Sequence, residues 1–435
     1  MKKVLFIAYF FPPLGWSGVQ RSIKFVKYLR HFGWEPVVIT VGKSRFALKD
    51  DTLSKEIPDN IEVIRIDDIL LKEYTDNFKE QMLGLIKPTF NVIKDVSINH
   101  EFERVLEEQM ESVRSSLFIP DGCILWAEKV IQKVMSEINP NDYSLIYSTS
   151  GPYSDHLIGY CLKEQLHIPW VADFRDEWTK NPYFGFDQTS LKYQMIKRME
   201  KNIVNFADII ITTTEPARVN FIENYNLLKE KVCTITNGYD EDDFKEIKSY
   251  TNDKFMVVHN GSFYSIRNPY TIITAVNNLV NKGLIDKAKF SLKIIGKCSD
   301  DIIKETQNID IYNLVEWRPY LVHSECLEIA ANADLLLLVA GGPEIPGKIF
   351  EYLRMGKPIL SISPIGSAID QLLELTGQGR NIAYENIEEI EEFLLLNYHN
   401  WANGKSIFYQ NSDTIKQFER KNLTNILVTI FNSLT

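Results

Sequence analysis

The feature that most constrains this chain is the regular alternation of short, uninterrupted apolar runs with stretches of helical character, repeated from one end to the other. KVLFIAY, PVVITV, SLIYST, PWVADF, DIIITTT and VCTIT are each apolar or β-branched over consecutive residues, the pattern of strands covered on both faces. Between them Ser22 to Phe32, Trp126 to Ile138, Ser154 to Leu166 and Leu191 to Phe206 read as helices. A second series begins near Lys254 with FMVVHN, FSLKIIG, IYNLVEW, ADLLLLVA, KPILSIS and a short NIAY. Strands separated by helices build parallel sheets wrapped by helices, so the expected fold class is α/β. Because the unit occurs twice, two facing Rossmann-like domains with an interdomain cleft are expected, and a chain of 435 residues is long enough for both. Ligands of such sheets bind beyond the carboxyl ends of the strands.

Composition narrows the function classes. Apolar residues at 45% and charged residues at 24% are ordinary for a globular protein, which excludes disordered and collagen-like readings. The five cysteines form no C-x-x-C pair, against a disulfide framework or a zinc cluster. A net charge of −10 repels polyanions, so no nucleic-acid partner is expected. The longest apolar runs fall far short of the roughly 20 residues that span a bilayer, and MKKVLFIAYFFPP lacks a signal-like cleavage region, so the cytoplasm is the expected location. Charge is uneven, however: Met1 to Asp50 carries nine Lys/Arg against two Asp/Glu. On a helical wheel Phe25, Val26, Leu29 and Gly33 share one side, with Arg21, Lys24, Lys27, Arg30 and His31 on the other. This predicts either a merely solvated basic face or a surface that attracts a lipid-linked diphosphate acceptor or anionic lipid headgroups, the latter a peripheral contact at the inner face of the membrane.

Four segments carry chemistry. FFPPLGWSGV leaves the first strand, holds Gly15 and Gly18, and feeds a helix whose free N–H groups suit an anion; a structural glycine turn is the plainer alternative. It is not G-x-G-x-x-G, which disfavours a dinucleotide-dependent dehydrogenase. PWVADFRDEW, preceded by SGPYSDH, delivers Asp173, Arg175 and Asp176 to a sheet edge, with His156 nearby; a buried Asp–Arg brace and a helix-start histidine are the alternatives. In VHNGSFYSIRNPY, Arg267 stands at the mouth of a helix, to meet a diphosphate or to be solvated. In AGGPEIPGKIFEYLRMGKPIL, Lys348 and Glu351 share a helix face. They form a surface pair, or the carboxylate accepts both hydroxyls of a ribose.

The last segment resembles the donor-binding signature of the family 4 (group 1) glycosyltransferases, retaining enzymes of the GT-B type. PPLGWSGVQR, ADIIITTTEPAR, ITNGYDEDDF and GSFYSIRNP are similar to their other motifs in order and spacing, and GPYSDHLIG with IPWVADFRDEW is similar to a subgroup of bacterial surface polysaccharide enzymes. The resemblance implies a retaining glycosyltransferase that moves a sugar from a nucleotide-sugar donor to a glycan or lipid-linked acceptor. It implies no tightly bound cofactor and no required metal. Carried over, donor binding falls to Gly18, Gly261, Arg267, Gly347, Lys348, Ile349 and Glu351, with Glu351 on the ribose and Arg267 and Lys348 on the diphosphate. Glu344 would contact the donor sugar and joins Asp173 and Asp176 as a catalytic candidate; Gly15, Arg21, His156 and Arg175 lie on the acceptor side. The implied organisation is an acceptor domain over residues 1–238 with a helical insertion at about 70–116, and a donor domain over 239–412. A terminal helix at about 413–435 would return to the first domain. Pro343 and Ser262, where the family carries other residues, motivate the alternative of a non-catalytic nucleotide-sugar or glycan-binding protein; a nucleotide-sugar epimerase is the other.

Overall fold

A computed structural model describes residues 1–435 apart from 16, 47, 70–117, 182–183, 264–266, 343, 406, 408 and 410–412. The helical insertion expected at about 70–116 lies outside the described residues. The chain divides into two compact units. Met1–Thr212, Phe221–Cys233 and Val428–Thr435 form the first, and Thr213–Asn220 with Thr234–Leu427 the second. Within the second unit Thr234 Oγ1 donates to Glu215 at 3.0 Å, which ties the Thr213–Asn220 segment to the chain beyond 233.

The first sheet has seven strands: β1 (Lys2–Ile7), β2 (Trp34–Val41), β3 (Glu62–Ile66), β4 (Leu145–Thr149), β5 (Trp170–Phe174), β6 (Ile209–Thr212) and β7 (Val232–Thr234), in the order β3-β2-β1-β4-β5-β6-β7. β1 pairs in parallel with both β2 and β4, so the strand order reverses between β1 and β4. The helices are α1 (Ser17–Leu29), α2 (Ile124–Glu137), α3 (Ser154–Leu166) and α4 (Leu191–Phe206), followed by α5 (Glu215–Tyr225), whose residues up to Asn220 belong to the second unit and the rest to the first. Strand β3 carries no strong apolar run, because EVIRI is an edge strand in which only Ile66 is fully buried.

The second sheet has six strands, all paired in parallel: β8 (Phe255–Asn260), β9 (Phe290–Ile295), β10 (Val315–Arg318), β11 (Leu335–Val339), β12 (Ile359–Ile362) and β13 (Arg380–Ile382), in the order β10-β9-β8-β11-β12-β13. The order reverses between β8 and β11. Helices α6 (Tyr270–Asn281), α7 (Asp300–Ile309), α8 (His323–Ala331), α9 (Lys348–Met355), α10 (Ala368–Thr376) and α11 (Ile387–Ala402) cover it. The uninterrupted apolar run of β11 follows from burial on both faces. Leu335, Leu337 and Val339 join the core of Val257, Ile272 and Leu292, while Leu336 and Leu338 join Val258, Phe350 and Leu353. Each such side chain contributes about 1.5–3 kcal/mol by leaving water.

The terminal helix is broken into α12 (Asp413–Lys416) and α13 (Arg420–Leu434). At the break Phe418 O accepts from Tyr239 N at 3.1 Å and Arg420 N donates to Tyr239 O at 2.8 Å. A β-carbon on Gly238 would stand 2.0 Å from Phe418 O, so only glycine lets the two segments meet. The end of α13 belongs to the first unit, where Phe431 packs on the rings of Trp34 and Tyr147 at 5.1 and 6.0 Å. Among the described residues no helix is long and apolar enough to cross a membrane.

Helix α1 departs from its expected character. Arg21 and Lys24 are buried, Lys24 Nζ lies 2.5 Å from Glu56, and Arg30 pairs with Glu35 at 2.5 Å. Arg21 and Lys24 of the basic face are therefore packed and paired rather than solvated, while Lys27 and Arg30 are half-buried and His31 is exposed.

Candidate functional site

In each sheet the carboxyl ends of the strands at the reversal of strand order mark the place where ligands of such sheets bind. In the second unit the loops after β8 and β11 meet there. After β8 the chain turns at Gly261 with φ +144°, a value only glycine adopts readily. A β-carbon there would also stand 1.9 Å from Lys348 Nζ, so the missing side chain makes room for the ammonium of the first residue of α9. Burial, then the charge of Arg267, push Lys348 down to about 8, against the pull of Glu351. Arg267 pairs with Glu344, which is half-buried in the loop after β11. One turn into α9, Glu351 holds the Nε2 of His323, at the start of α8, 2.8 Å from Oε1. His259, at the end of β8, is buried, stacks on Phe263 at 4.3 Å and contacts Leu337 O through Nδ1 at 3.0 Å. Burial, with the charges of Lys348 and Arg267, keeps its imidazole neutral.

The helix terminus, a cation whose proton is loosely held and a guanidinium form a site for a multiply charged anion, with a carboxylate beside it for hydroxyl donors. The structure thus brings Gly261, Arg267, Glu344, Lys348 and Glu351 together. Gly347 precedes α9 and has the space its loop leaves it, with Asn237 Cβ 4.0 Å from a notional β-carbon. Ile349 is fully buried, so only its backbone is available, and its N–H is given to Pro346 O at 3.1 Å.

In the first unit this place lies after β1 and β4. A β-carbon on Gly18 would stand 1.6 Å from Arg175 Nη1, so the guanidinium lies against the first turn of α1, which has no acidic residue. Arg175 also reaches Asp176 at 3.4 Å, and Asp176 is exposed. Helix terminus and guanidinium again converge at the carboxyl edge of a sheet.

Four expectations change here. Asp173 is fully buried and accepts from Arg21 Nε and Nη2 at 2.7 and 2.9 Å, from the Tyr147 hydroxyl at 2.6 Å and from Thr149 at 3.1 Å. Burial alone would raise its pKa; Arg21 and these donors outweigh it and hold the carboxyl below its usual range. Both carboxylate oxygens are engaged, so Asp173 braces β5 against α1 in this structure, the plainer of the two roles expected for it. Arg21, its partner, is likewise removed from the acceptor side; the buried brace expected as an alternative exists, with Arg21 rather than Arg175. His156 lies in the core, Nδ1 2.9 Å from Ser148 Oγ and its ring against Phe174 at 4.3 Å. Burial holds it down to about 3, so it stays neutral, and its ring is fully buried. Gly15 serves loop packing: a β-carbon would meet the Lys49 carbonyl carbon at 2.9 Å.

Sequence reasoning did not single out His323 or His259. His323 lies 28 residues from Glu351, and no local pattern marks it; His259 had a signal, since it is a polar residue within an apolar strand, two positions before the glycine turn.

No known family profile matches the chain, and no curated protein matches it. Solved structures do. A glycosyltransferase from Rickettsia africae is similar at 12% identity with a TM-score of 0.63, over 100% of this chain and 98% of the other. HepE from Anabaena, solved with UDP-glucose, is similar at 15% identity and a TM-score of 0.63 over 100% of both chains. UDP-GlcNAc 2-epimerase from Neisseria meningitidis, bound to UDP-GlcNAc, is similar at 12% identity and 0.55, over 99% of this chain and 100% of the other. Two parallel α/β sheets of seven and six strands, shared with these proteins, define the class: the chain has the GT-B fold.

Proposed function

We propose that the protein is a glycosyltransferase that moves a sugar from a nucleotide-sugar donor to a glycan or lipid-linked acceptor with retention, in cell-surface polysaccharide biosynthesis. The observation that carries this reading is the grouping of Arg267, Lys348 and Glu351 at the carboxyl edge of the second sheet, with Lys348 Nζ seated over Gly261. In this reading Arg267 and Lys348 take the diphosphate and neutralise the charge that grows on it as the glycosidic bond breaks. Glu351 takes the ribose hydroxyls through the oxygen that His323 leaves open. Glu344, released from Arg267 when the diphosphate binds, turns to the donor sugar. With Asp173 committed to Arg21, the reading assigns deprotonation of the acceptor to a donor phosphate oxygen, on the face the leaving group vacates. The UDP-glucose in HepE supports a nucleotide sugar as donor. No resident cofactor or metal is assigned, so magnesium and its chelation are expected to leave donor affinity unchanged.

A thermal-shift panel of UDP, GDP, ADP and CDP with their common sugar conjugates tests the reading. One nucleotide should stabilise the wild type, and Lys348→Ala should weaken it by about 10–100-fold, the loss of one charged contact of about 1.5–3 kcal/mol. Equal binding to wild type, Lys348→Ala and Glu351→Ala refutes the site. The likeness to a UDP-GlcNAc epimerase favours one second reading, turnover of the donor with no acceptor present. Chromatography of the nucleotide sugar after incubation alone separates the two.

A further inference from the structure

The loop after β5 and the helix it feeds carry a surface that the donor and acceptor assignments leave unused. Trp178 and Tyr153 stack in the core at 4.6 Å, and the aromatic series continues outward through Phe184 at 6.0 Å, Phe186 at 5.4 Å and Tyr193 at 5.9 Å. Lys197 Nζ lies 5.9 Å from the Tyr193 ring. Phe184 is 48% exposed, Leu191 74% and Met195 45%. Leu191, Met195, Arg198 and Asn202 share the outward stripe of α4 at i, i+4, i+7 and i+11, flanked by exposed Lys197 and Lys201. The acid of this helix, Glu200, is buried on the opposite face, where it accepts from Tyr225 at 2.8 Å. Asp187, in the preceding turn, is occupied by Thr189 N and Oγ1 at 2.9 and 2.7 Å.

We infer that this face docks on an anionic phospholipid bilayer, with Phe184, Leu191 and Met195 entering the headgroup boundary and Lys197, Arg198 and Lys201 meeting lipid phosphates. Charge decides the occupant. A chain of net charge −10 is repelled by an anionic surface unless a local cationic face orients it, and α4 has four basic residues against one buried acid. Exposed leucine, methionine and phenylalanine beside long cations are the pattern of interfacial insertion, in which the cations keep their charge at the phosphates. A nucleic acid would satisfy the cations and leave the aliphatic tips without a use. The position adds a reason: the chain leaves the carboxyl end of β5 through residues 175–190 and returns through α4 to the parallel strand β6, so α4 starts on the carboxyl side of the first sheet, as α1 with Gly18 does. Use of a lipid-linked acceptor at that edge rests on the proposed function; the docking face does not.

Vesicle flotation tests the face without any nucleotide, so its failure is distinct from failure of the donor site. Wild-type protein should float with vesicles containing roughly a third phosphatidylglycerol in about 0.1 M salt, less in about 0.5 M, and not with phosphatidylcholine alone. Leu191→Gln/Met195→Gln should bind at least about tenfold more weakly with an unchanged melt. Leu228→Gln, at an equally exposed leucine (75%) away from the face, should bind like wild type. Absence of wild-type binding, equal binding of the double variant, or an equal loss in Leu228→Gln overturns the inference. So does a concentration-dependent dimer in sedimentation that the double variant abolishes while vesicle binding is absent, which would give the face to a second copy.

Discussion

Replacing Asp173 with asparagine separates a brace from a catalyst. The change keeps the shape but removes the charge opposite Arg21, a guanidinium only 1% exposed that makes two of its hydrogen bonds to this carboxylate. Removing one partner of a buried pair leaves the other uncompensated, at about 3–5 kcal/mol. At about 2–4 °C per kcal/mol for a domain of roughly 150–250 residues, the melting temperature should fall by about 6–20 °C. Arg21→Met in the same chain removes the orphaned cation, while the amide oxygen introduced by Asp173→Asn can still accept from Tyr147 and Thr149. The double variant should therefore recover at least half of the loss, a coupling that calorimetry measures directly. The pH dependence has a definite sign. A carboxyl held below its unfolded value stabilises the fold above that value, near 3.9, and the stability is lost as pH falls through the folded value. The acid limb of wild-type stability should be flatter in Asp173→Asn. A variant that melts within about 2 °C of wild type yet has lost transfer would refute the brace and return Asp173 to the chemistry.

Two further outcomes follow from the second unit. Lys348, held down to about 8, should give diphosphate affinity that declines as pH rises through that value, because the bound anion needs the ammonium; titration calorimetry of Lys348→Arg should lack the decline. Stability should move the other way over the same interval, since the unfolded chain, with its lysine near 10.4, binds the extra proton. His323→Ala should weaken a nucleoside diphosphate by about 3–10-fold, the value of one hydrogen bond that orients Glu351, and leave inorganic pyrophosphate unchanged. His323→Gln, which keeps a donor, should restore part of the difference. Equal loss for both ligands would mean a general packing role.

Much of the architecture could be read from the chain because parallel strands buried on two faces must be apolar at every position. Leu335–Val339 is such a run, and the helices Ser154–Leu166 and Leu191–Phe206 stand at the bounds their patterns indicate. The glycine loops and Lys348 with Glu351 were also legible, since a strand, a glycine and a helix start must be contiguous to make an anion site. What local pattern misassigned was the fate of charges. The basic side of α1 has the periodicity of a solvated face, yet Arg21 meets a carboxylate 152 residues away and Lys24 meets Glu56. The terminal helix reads as continuous because its break is imposed by Tyr239, far back in the chain. The two sheets, their helices and the glycine turns at strand ends are written in short stretches of the chain, all consequences of backbone and burial within them. That Asp173 braces, that His156 is core, that His323 holds Glu351 and that α4 carries the exposed cationic face depend on how distant segments come together. A side chain's charge partner and its exposure are set by segments distant in sequence, and no local period records them.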